Sequence, residues 1–276
     1  MQTLKIFFIV CFTVVFTSIC AQDTTQLYEL QPQVAKVIED AKNAETDSLK
    51  KMLMDRAAFD FIGLLYFEGS FGYNFYMLPS FSSVYSDDGK LRFITWALPL
   101  NDGSHCYYGF CLYRDSPTSS TVVTQLVDMS DITQNPQTAD MQAKNWYGAV
   151  YYELRQVGGK KSNIYAAAGW DGGDLFLNRK VLEQIRINQE GEPIFGGVFK
   201  NEEADGLKRL VFEFTKKAGM TLRYDTKLKM FVGDHLAAPP QFRGNKRFYG
   251  PDMTFDGFVF DRDRWFYEPD LDVKNK

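Results

Sequence analysis

The chain has 276 residues, is 45% hydrophobic and 24% charged, and carries a net charge of −4. Such a composition describes a folded globular protein; it excludes a disordered chain, a collagen-like repeat, a disulfide-dense miniprotein and a multi-span membrane protein. With 31 basic against 35 acidic residues there is no broad cationic face for a phosphate backbone, so nucleic acid is not an expected partner.

The amino terminus has the layout of a secretory signal peptide. Lys5 precedes an apolar run from Ile6 to Ile19, followed by small or polar residues at Ala21 and Gln22. The run is shorter than the roughly 20 residues a spanning helix requires. Cleavage after Ala21 is expected, giving residues 1–21 as the signal and no transmembrane span in the mature chain. Cys20 invites lipidation, but Ile19 is too large for the position before a lipidated cysteine.

Residues 22–66 are expected to form two helices. Val34, Val37, Ile38 and Ala41 recur at helical spacing, with Pro32 expected in the first turn. Asn43 to Ser48 interrupt the pattern with capping residue types, and Leu49, Met52 and Leu53 restart it. Their polar faces mix both charge signs, which favours packing on the rest of the domain over a membrane surface.

From Phe67 to the end the punctuation is that of hairpins. Turn clusters at 86–89, 158–161, 188–191 and 261–264 each separate two runs rich in Phe, Tyr, Val and Ile. Short connections join antiparallel neighbours, because parallel strands need long crossovers. The fold class is therefore mainly β: an antiparallel hairpin meander over 67–276, closed as a barrel, sandwich or partial propeller, with two N-terminal α-helices packed on it. Two stretches depart from this pattern, a turn or short helix at Arg179 to Gln184 and a polar surface loop or subdomain seam at Ser130 to Lys144.

Cys106 and Cys111 remain after signal removal. In a strand they point to opposite faces and lie too far apart to bridge; a disulfide would require Tyr107 to Phe110 to turn, with Gly109 permitting it. The apolar, aromatic run HCYYGFCLY favours a strand with two reduced thiols.

Catalytic signals are sparse. His105 and His235 are the only imidazoles, and there is no HExxH helix, GxSxG elbow, P-loop or CxxC pair. Gly69-Ser70-Phe71-Gly72 has the wrong register for an elbow. His105 and Cys106 are adjacent in a strand and cannot form a dyad; His235 follows Asp234 in an expected turn. Carboxylates offer another route: Asp171 and Asp174 in GWDGGD with Asp252 and Asp256 in GPDMTFDG would suit a glycosidase if they met in one cleft about 5 to 10 Å apart. Asp-Gly turn chemistry is the commoner reason for such sequences. Asp261, Asp263, Glu268, Asp270 and Asp272 miss the EF-hand pattern because Trp265 stands at a ligand position, so neither a metal nor a cofactor is expected.

Aromatic residues reach 16%, densest at Phe67, Phe71, Tyr73, Phe75 and Tyr76 among the glycines 69 and 72. Most are expected in the core. A glycine-interrupted cluster could also line a groove, which makes Phe71 and Tyr73 candidate ligand-binding residues; Trp170 and Tyr249, beside the acids of GWDGGD and GPDMTFDG, are candidates because their rings could stack on a sugar face. The expected function is an exported, non-catalytic binding or scaffold domain, with a glycan or an envelope protein as partner; the alternative is the paired-carboxylate hydrolase.

Six strings carry a resemblance. SDDGKLRFITW (Ser86 to Trp96), GAVYYEL (Gly148 to Leu154), GWDGGD (Gly169 to Asp174), GEPIFG (Gly191 to Gly196), FVGDHLAAP (Phe231 to Pro239) and FYGPDMTFDGFVF (Phe248 to Phe260) resemble, in this order, a family of exported Bacteroidetes proteins with no assigned activity. The likeness covers roughly the last two thirds of the chain; it departs at Ala97, where the family would carry an acid after the tryptophan. It implies export to the periplasm or the outer-membrane surface and names no ligand. Intact-mass analysis of the native product is expected to find a chain beginning at Gln22 that gains no hydrogens on reduction; one beginning at Met1 would overturn the export reading.

Overall fold

The computed structural model describes residues 24–78, 80–201 and 204–272; the expected signal peptide, with Cys11 and Cys20, lies outside the described residues. Helix α1 spans Thr25–Asn43 and α2 spans Asp47–Leu65. The Thr46 side chain accepts from the Leu49 amide at 3.3 Å and Asp47 sits in the first turn, the capping and dipole complement that starts α2. Pro32 falls in the interior of α1 and not in its first turn, because the helix begins at Thr25. The helix tolerates the lost N–H because its buried stripe, from Leu27 through Val34, Ile38 and Ala41, holds it against the core.

The remainder is three sheets and no closed barrel, so of the anticipated closures it is a sandwich-like stack. The first sheet is β1 (Ser82–Tyr85), β2 (Leu91–Pro99), β3 (His105–Tyr113) and β4 (Val122–Val127), in that order. The second uses β5 (Met141–Gln142), β6 (Val150–Val157), β7 (Ile164–Asp171), β8 (Leu177–Ile187) and β9 (Pro193–Phe195), ordered β5-β9-β8-β7-β6. The third uses β10 (Phe199–Asn201) and β11 (Ala204–Leu207), then β13 (Leu222–Asp225), β14 (Met230–Ala237), β15 (Gly250–Asp261) and β16 (Arg264–Glu268). Between these, β12 (Arg209–Thr215) pairs with the first part of β8. All four turn clusters join antiparallel neighbours. Arg179 to Gln184, by contrast, is neither turn nor helix: it is the middle of β8, buried between two sheets, where charged residues can be in a strand because they have partners. One pair, β10 with β16, is parallel, joined through the long excursion that contains β11 to β15.

Strand alternation builds the layers. On β2 and β3, Ile94, Trp96, Leu98, Phe110 and Leu112 face the helices, while Phe93, Tyr107 and Cys111 face the second sheet. The other face of the second sheet, including Ala166, Ala168 and Leu182, packs on Phe231, Phe258 and Trp265 of the third. The order is helices, first sheet, second sheet, third sheet. Phe61 of α2 anchors the first layer with edge contacts to Phe75, Phe81 and Trp96. Cys106 and Cys111 are both free and on opposite faces of β3.

Of the aromatic cluster after α2, Phe71 and Phe75 are core, Phe67 and Tyr73 are half-buried and Tyr76 is exposed; the segment is held from below. Arg92 on β2 is buried and donates to the carbonyls of Ser70 (2.9 Å), Phe71 (2.8 Å) and Tyr73 (3.0 Å), with its guanidinium over the Tyr85 ring. Burial draws its pKa down to about 10, so it stays charged, and the three carbonyls supply the compensation a buried cation requires. The SDDG turn, besides reversing the chain, pins the first sheet to the second, since Asp87 accepts from the Gln156 amide and Asp88 from the Tyr165 hydroxyl.

At the centre of the second sheet, Glu183 and Arg209 form a 2.5 Å ion pair, both side chains fully buried. Tyr151 donates to Glu183 at 2.6 Å and accepts from Trp146 at 2.9 Å; Arg209 also reaches the carbonyls of Pro136 and Ala139. Removing one partner of such a pair leaves a buried charge uncompensated. Glu183→Leu is expected to destabilise the fold by about 3–5 kcal/mol in urea unfolding, and Glu183→Leu with Arg209→Met to recover most of that loss. A double-variant cost equal to the sum of the costs of Glu183→Leu and Arg209→Met alone would show that the pair is not coupled.

Candidate functional site

Between the first and second sheets, bordered by α2 and the 128–138 loop, lies a cleft of about 1200 Å³. The polar stretch Ser130 to Lys144, read from sequence as a surface loop or seam, supplies one rim through Ser130, Asp131, Thr133 and Gln137. Its opening is set at Asp128, which accepts from the amides of Tyr107 (2.8 Å) and Ser130 (2.9 Å). Burial raises the Asp128 carboxyl pKa, opposed by these amides. Gly148 is required beside it: the residue has φ of 84° and a Cβ there would overlap the Asp128 carboxylate. That is a physical reason for the glycine in GAVYYEL.

The floor is organised around Asp171, the first acid of GWDGGD. It is 3% exposed and accepts from the hydroxyls of Tyr107 and Tyr147, each at 2.7 Å, from the Gly173 amide at 2.8 Å and from Arg179 at 3.4 Å. Four donors occupy the acceptor positions of one carboxylate, so Asp171 positions other groups and is poorly placed to take a proton from a substrate. Both tyrosine hydroxyls are pushed far above their ordinary range by burial and by Asp171, which keeps them donors. Arg179 continues to Glu213 at 2.9 Å, so β7, β8 and β12 are tied together beneath the cleft.

His105 stands at the same wall, edge-on to Trp170 with ring centroids 5.3 Å apart. Its pKa is lowered, first by burial and then by Lys216, despite Asp171 nearby; the ring is neutral at neutral pH. Nδ1 is buried with no hydrogen-bond partner, against Gly172, where a side chain would overlap the ring. Cys106 faces away from His105, and burial raises its thiol pKa, which disfavours the thiolate.

The remaining acids proposed from sequence lie elsewhere. Asp174 caps the following turn, accepting from the Phe176 and Leu177 amides; partial burial opposes but does not cancel the resulting fall in its pKa. Asp252 is exposed and caps Thr254. Asp256 is on β15 in the third sheet, and neither it nor Asp252 lines the cleft. Asp171 faces the first sheet and Asp256 lies in the third, with the second sheet between; the structure does not bring the two pairs together. Of the candidate ligand-binding aromatics, Phe71 is buried under Arg114. Tyr73 is half-buried, accepting from Gln31 at 2.8 Å. Neither lines an open groove, because Arg92 draws their segment onto the sheet. Trp170 backs His105, and Tyr249 carries the Lys246 ammonium over its ring at 4.5 Å, outside the cleft.

A second constellation went unread in the sequence. His235 lies in β14 beside a register shift, not in a turn, and its Nδ1 is 2.9 Å from Asp256, which also accepts from Tyr267 at 3.0 Å. The two residues are 21 apart in sequence, so only strand pairing joins them. Among the described residues no cluster of three or more His, Cys, Asp or Glu could hold a metal ion. No family model, curated protein or solved structure matches this chain.

Partial burial works against a charged His235, but the Asp256 carboxylate outweighs it and raises the imidazole pKa. A raised folded value means the pair's contribution is complete below the unfolded pKa and is lost as pH rises through the folded one. His235→Gln is therefore expected to lower the urea midpoint more at about pH 5.5 than at about pH 8.5, on either side of the ordinary imidazole value. An equal loss at both would show that the pair does not couple to folding.

Proposed function

We propose that this is an exported, non-catalytic binding protein of the periplasm or outer-membrane surface whose ligand, an oligosaccharide, occupies the cleft between the first two sheets. The observation that carries the reading is the size and chemistry of that cleft. At about 1200 Å³ it exceeds the usual range for one small molecule, about 300–1,000 Å³, and so suits a chain of several rings. Its walls present carboxylates at Asp102 and Asp128, held by Ser104 and by the Tyr107 and Ser130 amides, an exposed carboxylate at Asp131, and Asp55, which accepts from the Tyr108 hydroxyl. Carboxylates that accept from sugar hydroxyls are the complement a polyhydroxylated ligand requires.

Catalysis has less support. The most buried acid of the cleft has its acceptor positions filled, its histidine is neutral and unpartnered at Nδ1, and its cysteine is held as a thiol. The hydrolase considered from sequence needs both acid pairs in one cleft, and they occupy different sheets.

A glycan array probed with the mature chain, followed by calorimetry on the strongest hit, tests the proposal. Asp131→Asn is expected to weaken that hit by about tenfold, the scale of one lost charge-assisted hydrogen bond, with little change in the unfolding midpoint; Tyr108→Phe, which also removes the hydroxyl's 2.9 Å bond to Asp55 on α2, is expected to weaken it and to lower the midpoint by about 1 kcal/mol of stability. Wild-type affinity in both variants, or no glycan bound at all, would overturn it.

A further inference from the structure

Away from the cleft, three loops meet in a patch that combines exposed apolar rings with unpaired cations. Segment 239–250 folds as two short 3-10 turns, Pro240–Phe242 and Lys246–Phe248. Phe242 and Phe248 stack on each other, centroids 3.9 Å apart and planes 9° from parallel, yet both remain exposed. The Arg247 guanidinium lies 3.9 Å from the centroid of Phe176, which with Leu175 projects from the loop after β7, the two being 50% and 64% exposed. Backbone bonds fasten the three loops together: the Thr215 amide donates to Tyr249 at 2.9 Å and the Lys216 amide to Phe176 at 2.8 Å. None of these aromatic or basic side chains lines the cleft.

The charge here runs against that of the whole molecule. The chain is net −4, yet no acid occurs between Asp234 and Asp252, a stretch holding Arg243, Lys246 and Arg247. Lys217, on the adjoining loop, adds a fourth exposed cation, and no acid occurs between Glu213 and Asp225. Among the described residues none of these four forms an ion pair. Asp174, in the loop after β7, accepts from the Phe176 and Leu177 amides and feels the charge of Arg247 without forming an ion pair with it.

We propose that this patch docks the protein on an anionic lipid bilayer, with Phe242, Phe248, Leu175 and Phe176 entering the headgroup boundary and Arg243, Lys246, Arg247 and Lys217 meeting lipid phosphates. Charge complementarity selects an anionic partner. The protruding rings and the leucine select a bilayer over a soluble polyanion, because apolar side chains gain only where there is an acyl boundary to enter. The aromatic rings under Arg247 and Lys246 hold those cations at the level of the surface.

The test is co-sedimentation of the mature chain with phosphatidylcholine vesicles, with and without phosphatidylglycerol. Binding is expected only with the anionic lipid and should fall with added salt. Arg243→Ala with Arg247→Ala should weaken it roughly 25-fold, about fivefold per cation near the surface. Phe242→Ser with Phe248→Ser should weaken binding while leaving its salt dependence in place. These side chains are exposed, and thermal unfolding of each variant checks that it remains folded. Failure of the wild-type chain to sediment, equal binding to neutral vesicles, or undiminished binding by both variants would overturn the proposal. So would binding to heparin that competes with the vesicles and is indifferent to Phe242→Ser and Phe248→Ser, since that pattern marks a polyanion site. None of these outcomes depends on the glycan assigned to the cleft.

Discussion

Two of the three sheets in this protein must bury both of their faces, and most of its unusual features answer that constraint. A strand covered on one side can send its polar residues to water. A strand covered on both sides has nowhere to send them, so each polar group inside needs a partner built from the same interior. Arg92 finds three loop carbonyls, Glu183 finds Arg209 and Tyr151, and Asp171 finds two tyrosines, an amide and an arginine. The Arg92 and Asp171 solutions also tie one layer to the next, while the Glu183 network joins strands within the second sheet.

The cleft follows from the same geometry. The sheets are pinned together at the end where Asp87 and Asp88 reach the second sheet. Around Asp128 and Asp171 the gap is instead walled by hydrogen-bonded polar groups. A rigid polar hollow is what such a wall leaves. Most of its charged groups are engaged with the protein itself: Asp128 with two amides, Asp171 with four donors and Asp55 with Tyr108.

Much of the outline was legible from residue order. Two helices, hairpin punctuation at four turns, and two free thiols on opposite faces all follow from periodicities of 3.6 and 2 and from turn chemistry, which act over a few residues. The segment 179–184 misled for an instructive reason. Its two polar pairs, Arg179-Lys180 and Glu183-Gln184, around Val181-Leu182 break the alternation of a strand and look like an exposed turn or helix unless the partners are known, and those partners, Glu213, Asp171 and Arg209, come from other strands. The aromatic cluster at 67–76 divides as its alternation suggests, Phe71 and Phe75 entering the core while Tyr76 stays exposed, and what its glycines could not show is that Arg92 holds the segment by its carbonyls.

Asp171 could be named from its motif, but its role could not, because Tyr107 and Tyr147 stand 64 and 24 residues away. The pairing of His235 with Asp256, the separation of Asp171 from Asp256 by a whole sheet, and the gathering of basic and aromatic loops into one patch share that character. Local chemistry specifies which segments become helices, strands and turns, since those choices are made within a turn or a hairpin. Which faces meet is a collective outcome of layer order, and a site assembled from several strands and loops exists only once that order has been adopted.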